Sequence, residues 1–265
     1  MPTASPAPTL RSTPRSTWTG PEAAAAVKTR PFADTSAWGS DMKSSQGLAR
    51  YGRRAALQKA MAGCGLLLAA RPAVAQGQEI RLLMLGDSIT AGFGLARGEG
   101  PPARIEALLR AKGRNVRLLD AGVSGDTTAG GRARLEWALA DRPHAVIVAL
   151  GGNDGLRGLT PTQMRGNLVA ILDALAQRRL PVLLAGMIAP PNLGAEYGRE
   201  FAAVFSDLAR DRPDIVFYPF LLEGIAGDPA LNQPDRIHPT ARGAQVLAER
   251  ILPAIETLLD RVRPL

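Results

Sequence analysis

The 265-residue sequence predicts an α/β fold built on one five-stranded parallel sheet, doubly wound, with helices on both faces in three layers. Three observations predict it. Short apolar runs alternate along the chain with stretches that carry apolar residues at helical spacing. The runs are near-continuously apolar, as expected of strands covered on both faces. The residues best suited to chemistry follow the runs immediately, where parallel sheets place their ligands, beyond the carboxyl ends of the strands. A chain that is 46% hydrophobic and 21% charged, with mean hydropathy near zero, is long enough for one sizeable core and is neither fibrous nor largely disordered.

In order, the expected strands are residues 80–85, 116–119, 145–150, 182–188 and 215–218. Between them, residues 102–112, 129–140, 162–179 and 197–210 read as amphipathic helices, and residues 240–261 close the chain with a long one. Pro101-Pro102 and Thr160-Pro161-Thr162 suit helix starts, where the missing proline N–H costs nothing. Repeated β-α units of this length make every crossover parallel.

Ahead of this domain the composition changes. Residues 1–41 are rich in Ala, Ser, Thr and Pro and hold no apolar run that seeds a core, so we expect a disordered or untranslated extension. Met42 then opens a segment with the layout of a secretory signal peptide over residues 42–75. Arg53 and Arg54 give the basic region, residues 65–70 end the apolar stretch, and Ala73-Val74-Ala75 gives an A-x-A cleavage site before Gln76. The pair Arg53-Arg54 followed by Leu57 and Lys59 also resembles twin-arginine signals. Lys59 leaves the apolar stretch short of the roughly 20 residues a bilayer span needs, so stable membrane insertion is not expected. A lipoprotein reading of Met61-Ala62-Gly63-Cys64 is weaker, because most of the apolar segment follows the cysteine.

The net charge of +8 raises the question of a nucleic-acid partner. Residues 1–75, however, hold 10 of the 32 Lys and Arg and 3 of the 24 Asp and Glu, leaving 22 against 21, or +1, for residues 76–265. The basicity belongs to the leader and no nucleic acid is expected. One cysteine, Cys64, excludes an intramolecular disulfide, and two histidines, His144 and His238, are too few for a zinc site of the usual kind. Chemistry is left to oxygen nucleophiles, carboxylates and at most two imidazoles.

Directly after the first strand stands Gly86-Asp87-Ser88-Ile89-Thr90-Ala91-Gly92, which exposes a serine to the crevice; a helix N-cap is its bland alternative. After the second comes Asp120-Ala121-Gly122-Val123-Ser124-Gly125-Asp126-Thr127-Thr128, and after the third Gly151-Gly152-Asn153-Asp154. Glycine N–H groups and an asparagine amide, with the N–H of Ser88, can form a three-donor oxyanion hole. Asp126 and Asp154 read better as structural carboxylates. Before the last helix, Asp235-Arg236-Ile237-His238 can place a carboxylate on the imidazole Nδ1–H and leave Nε2 free to take a serine proton. His144, at the amino end of the third strand and opposite the crevice, reads as structural.

Four such blocks in this order resemble the GDSL-type SGNH hydrolases, over essentially all of residues 80–262. The one departure in the first block, Ile89 for the usual leucine, keeps an apolar side chain. The resemblance implies the flavodoxin-like SGNH-hydrolase fold, Ser88 as nucleophile, His238 as general base oriented by Asp235, and Ser88, Gly125 and Asn153 as the oxyanion hole. Finer detail is similar to a bacterial, often periplasmic, single-domain branch of arylesterases, acyl thioesterases and lysophospholipases. It implies action on small ester or thioester substrates with no cofactor and no metal, and nothing in the sequence demands more than a monomer. Leu156, Leu159, Ile188, Pro190, Leu193 and Tyr197 are the expected apolar acyl pocket. A carbohydrate or cell-wall O-acetyl esterase is the alternative on the same fold. Gly92-Phe93-Gly94-Leu95-Ala96-Arg97-Gly98 gives little support to a dinucleotide site, since its glycine spacing is off by one.

Overall fold

The computed structural model describes residues 78–262; the expected extension, the leader and its cleavage site lie outside the described residues. Strands β1 (Ile80–Gly86), β2 (Val116–Gly122), β3 (Ala145–Ala149), β4 (Val182–Ala185) and β5 (Val216–Tyr218) form one parallel sheet in the order β2-β1-β3-β4-β5. The winding direction reverses between β1 and β3, which is where such sheets open a crevice.

Among the described residues seven α-helices surround the sheet: α1 (Pro101–Ala111), α2 (Thr128–Ala133), α3 (Leu135–Ala138), α4 (Gly152–Leu156), α5 (Pro161–Gln177), α6 (Ala195–Asp211) and α7 (Ala241–Leu259). α1 packs with α7 in one layer, and α5 packs with α2 and α6 in the other. On α6 the buried residues Phe201, Val204, Phe205 and Leu208 recur at helical spacing, and each such side chain contributes about 1.5–3 kcal/mol by burial. They meet the fully buried Ile147, Leu150, Met164 and Leu168, so the core lies on both faces of β3 and β4, strands with no exposed position. Thr160 and Thr240 cap α5 and α7, their side chains accepting from Gln163 N and Gly243 N at 3.3 and 3.2 Å.

Three expected elements change. The second strand runs past residue 119 to Gly122, paired with β1 along its whole length, because an edge strand tolerates the exposed Asp120. The helix expected over residues 129–140 is instead α2, α3 and a 3-10 turn, Leu139–Asp141, with the break at Arg134. Arg134 is drawn out of register by its guanidinium, which pairs with Asp126 and donates to the Gly86 carbonyl at 2.8 Å. The fourth strand ends at Ala185, short of residue 188, because the register with β5 is lost there: Gly186 N still donates to the Tyr218 carbonyl at 2.8 Å, but the Gly186 carbonyl accepts from Leu221 N at 2.9 Å, one residue beyond the in-register Phe220. Met187 and Ala189 then turn inward while Ile188 stands exposed. His144 sits at the amino end of β3, where its Nδ1 accepts from the Arg81 N–H at 2.8 Å and its own N–H donates to the Arg81 carbonyl at 2.7 Å.

Gly86 and Gly122 end β1 and β2 side by side in register. A Cβ on Gly86 would overlap Thr90 Oγ1, and one on Gly122 would overlap the backbone nitrogen of Ala91. The segment after β1 therefore folds back onto the strand ends because neither strand finishes with a side chain. Gly122→Ala is expected to lower the unfolding free energy by about 1–3 kcal/mol through overpacking. Urea denaturation checks it as a lower midpoint at unchanged slope; an unmoved midpoint would contradict the close approach.

Candidate active site

Ser88 lies in tight turns closed by Ala91 N to Asp87 O at 3.0 Å and Phe93 N to Ser88 O at 3.0 Å, with the Asp87 carboxylate accepting from Ile89 N at 3.0 Å. Asp235 and His238 lie in a short hairpin closed by Gln233 N to His238 O at 2.7 Å and Thr240 N to Leu231 O at 2.9 Å. At its tip Arg236 adopts a left-handed φ of 61°, which brings the Asp235 carboxylate under the following amides. Asp235 Oδ1 accepts from the N–H groups of Ile237 and His238 at 2.9 and 3.0 Å, and Oδ2 meets His238 Nδ1 at 2.6 Å. The bond from His238, reinforced by these amides, holds the Asp235 carboxyl down at about 2. An ionised carboxylate only accepts, so His238 carries its proton on Nδ1 and presents the lone pair of Nε2, which lies 2.8 Å from Ser88 Oγ.

Gly125, at φ 83°, lies in the turn after β2, its carbonyl accepting from Arg157 at 2.6 Å. The backbone N–H groups of Ser88 and Gly125 have no acceptor among the described residues. Asn153 is the second residue of α4, which follows Gly151, whose φ of 118° swings the chain away from β3. Its amide donates to the Asp126 carbonyl at 2.9 Å, which fixes the plane, and makes a longer contact of 3.4 Å to Asp87 Oδ2. The second amide hydrogen makes only this long contact. Ser88, Gly125, Asn153, Asp235 and His238 are all brought together.

Ser88, Gly125, Asn153 and His238 line a cleft of about 550 Å³, within the range of small-molecule sites. Of the six expected pocket residues, Leu156, Ile188 and Pro190 line it and Leu159, Leu193 and Tyr197 do not. Tyr197 turns the other way, its hydroxyl donating to the Leu159 carbonyl at 2.6 Å and its ring stacking on Phe201. Residues that the sequence reading missed complete the wall: Phe93, Met187, Phe220, Leu222, Ala226 and Ile237. A second cavity of about 630 Å³ lies at the amino ends of β3, β4 and β5 around His144, Arg178, Arg179, Arg212 and Arg261, away from the nucleophile.

Asp154 is structural, as the sequence suggests, but the helix it caps is the preceding α2, through Thr128 N and Oγ1 at 2.8 and 2.6 Å. Asp126 pairs with Arg134. Among the described residues no group of three His, Cys, Asp or Glu could hold a metal ion, and no helix is long and apolar enough to cross a membrane.

Asp87, 3% exposed, is the buried carboxyl of the site; burial raises it to about 6 against the lowering effects of the Ile89 amide and of His238. A carboxyl raised in the folded state makes the fold less stable as pH climbs from the unfolded value near 4 to the folded value near 6. Asp87→Asn lacks that slope. Relative to wild type the variant is expected to gain up to about 3 kcal/mol between pH 4 and pH 7, read by urea denaturation across that range. A constant difference would refute the buried, perturbed carboxyl.

The family model of the GDSL-like Lipase/Acylhydrolase family matches residues 84–246, which includes the Ser88, Gly125, Asn153 and His238 blocks. Esterase TesA of Pseudomonas aeruginosa is 38% identical over 201 residues, covering 75% of this chain and 98% of that protein. Thioesterase 1/protease 1/lysophospholipase L1 of Escherichia coli is 33% identical over 180 residues, covering 68% of this chain and 85% of that protein. Among solved structures, AlinE4, a SGNH-hydrolase family esterase, superposes with a TM-score of 0.58 at 47% identity over 69% of this chain and 98% of that one. With its matched segment centred on this relay and cleft, the chain belongs to the GDSL-like lipase/acylhydrolase family.

Proposed function

We propose that the chain is a serine ester hydrolase that works through an acyl-enzyme on Ser88, as a monomer and without metal or organic cofactor. The observation that carries this is the relay of Ser88 Oγ, His238 Nε2 and Asp235 at 2.8 and 2.6 Å, opening on a cleft with two unspent backbone donors. All of these groups come from one chain.

Ser88 Oγ attacks the ester carbonyl carbon while its proton passes to His238 Nε2. Asp235 stabilises the imidazolium through Nδ1–H. The oxyanion takes hydrogen bonds from the N–H groups of Ser88 and Gly125 and from the Asn153 amide, which leaves its long contact with Asp87. As the tetrahedral species collapses, the bond to the leaving oxygen breaks and His238 returns the proton to it. Water, deprotonated by His238, then attacks the acyl carbon and releases the acid and free Ser88.

The wall of Leu156, Met187, Ile188, Pro190 and Phe220 supports acyl or aryl esters, and with them thioesters and lysophospholipids, over O-acetylated sugars, which call for a more polar cleft. Residues 42–75 are proposed as an export leader with the periplasm as destination. The support is their basic start, apolar stretch and Ala73-Val74-Ala75 site.

Ser88→Ala is expected to lower kcat by about 10⁴-fold or more and to abolish fluorophosphonate labelling. Asn153→Ala should lower kcat by about 10²–10³ with little change in KM. An unlabelled wild type would defeat the reading. In a p-nitrophenyl ester series, kcat/KM should rise by up to about fourfold per added methylene until the cleft is full; a flat profile matched by acetyl-xylan would count against an acyl groove. N-terminal sequencing of the protein from its organism is expected to begin at Gln76, and a start near Pro2 would overturn the leader.

A further inference from the structure

Phe93 is placed unlike any other large apolar side chain of the site. Its ring lies against the His238 imidazole, centroids 4.6 Å apart and planes 38° to one another, yet 51% of its surface is open in the cleft. The ring leans on the imidazole, and about half of the side chain stays open. The segment is also fixed. Gln233 Nε2 donates to the Phe93 carbonyl at 2.7 Å and to the Pro239 carbonyl at 3.0 Å, which ties the Ser88 turns to the His238 hairpin across 140 residues. Gly94, at φ 75°, passes so close to Gln233 that a Cβ there would overlap its side-chain oxygen.

The chemistry decides what meets the open half. The acyl carbon must lie at Ser88 Oγ, and the leaving oxygen must finish beside His238 Nε2, its proton donor. Whatever is bonded to that oxygen lies on the imidazole side of the cleft, where Phe93 and Ile237 form the wall, while the acyl chain is left the side of Leu156, Ile188 and Pro190. A half-open ring on a tethered segment beside the leaving oxygen favours a second ring in offset or tilted contact.

We propose that the open half of the Phe93 side chain is a leaving-group subsite for planar aromatic alcohols. The inference rests on the assignment of Ser88 and His238 above and adds to it the side of the substrate that Phe93 reads. If Phe93 only packed His238 in place, its loss would slow every ester alike; a subsite loses selectivity instead.

Phenyl acetate and cyclohexyl acetate separate the two, because they share the acyl group and differ in the planarity of the alcohol. The comparison uses kcat/KM, which reports acylation, each variant being referred to wild type on the same ester. Phe93→Leu is expected to lower kcat/KM for phenyl acetate by about 2- to 10-fold more than for cyclohexyl acetate, and Phe93→Tyr, which keeps the ring, is expected to hold the wild-type ratio between the two esters. Phenol should inhibit the wild type more strongly than cyclohexanol, and the difference should vanish in Phe93→Leu. Equal losses on the two esters, or equal inhibition of the wild type by the two alcohols, would overturn the subsite; the inhibition arm stands even where the variant folds poorly. Failure of the hydrolase reading is distinguishable, since the wild type would then turn over neither ester and resist fluorophosphonate.

Discussion

A hydrogen bond of 2.8 Å between Ser88 Oγ and His238 Nε2 joins residues 150 apart in sequence, and both loops that carry it are anchored before the bond is made. On the serine side, the turns rest on the bare ends of β1 and β2, where side chains at Gly86 and Gly122 would collide with Thr90 and Ala91. On the histidine side, the hairpin is closed by its own backbone bonds and sits on the start of α7, where a Cβ at Gly243 would overlap the Leu231 carbonyl. Gln233 then bridges the loops through the carbonyls of Phe93 and Pro239. Because the entropy of holding nucleophile and base together is met in folding, little of it is left for the reaction step.

The two carboxyls nearest the relay are pushed in opposite directions by their surroundings. Asp235, partly exposed, collects three hydrogen bonds from one turn and stays ionised down to about 2, so it can always hold the Nδ1 proton. Asp87 is buried and keeps its proton up to about 6. The second value bears on the oxyanion: the Asn153 amide that faces Asp87 is the donor a developing negative charge needs, and an ionised Asp87 competes for it. The length of that contact, 3.4 Å, keeps the competition weak.

The sheet was legible because a strand covered on both faces loses alternation and becomes a plain apolar run; the second run was read only to Leu119, because the exposed Asp120 of an edge strand interrupts it before the strand ends at Gly122. The Asp235 to His238 pair was legible for a different reason: three residues fit in one turn, so the geometry is local. What stayed hidden depends on partners distant in sequence. Nothing near Arg134 announces that Gly86, 48 residues away, will break its helix, and nothing near Asp154 points back 26 residues to Thr128. Leu159, Leu193 and Tyr197 share composition and spacing with true lining residues, but composition does not say which side of a turn faces the cleft. Phe220 and Leu222 follow β5, a strand whose carboxyl end carries no polar signal.

The two histidines show how fully position decides chemistry on this fold. At the amino ends of the strands, His144 Nδ1 accepts a backbone N–H from Arg81, so its proton must sit on Nε2, which is buried without a partner. Burial, and then the neighbouring Arg81 charge, lower its affinity for a second proton. At the opposite edge of the sheet, His238 carries the other tautomer: Nδ1–H is committed to Asp235 and the Nε2 lone pair faces Ser88. One imidazole spends its basic nitrogen on structure, and the other spends its proton on structure and keeps the basic nitrogen free. Only the second arrangement can take a proton from a serine, and the fold places it beside the strand ends where the serine, Gly125 and Asn153 already meet.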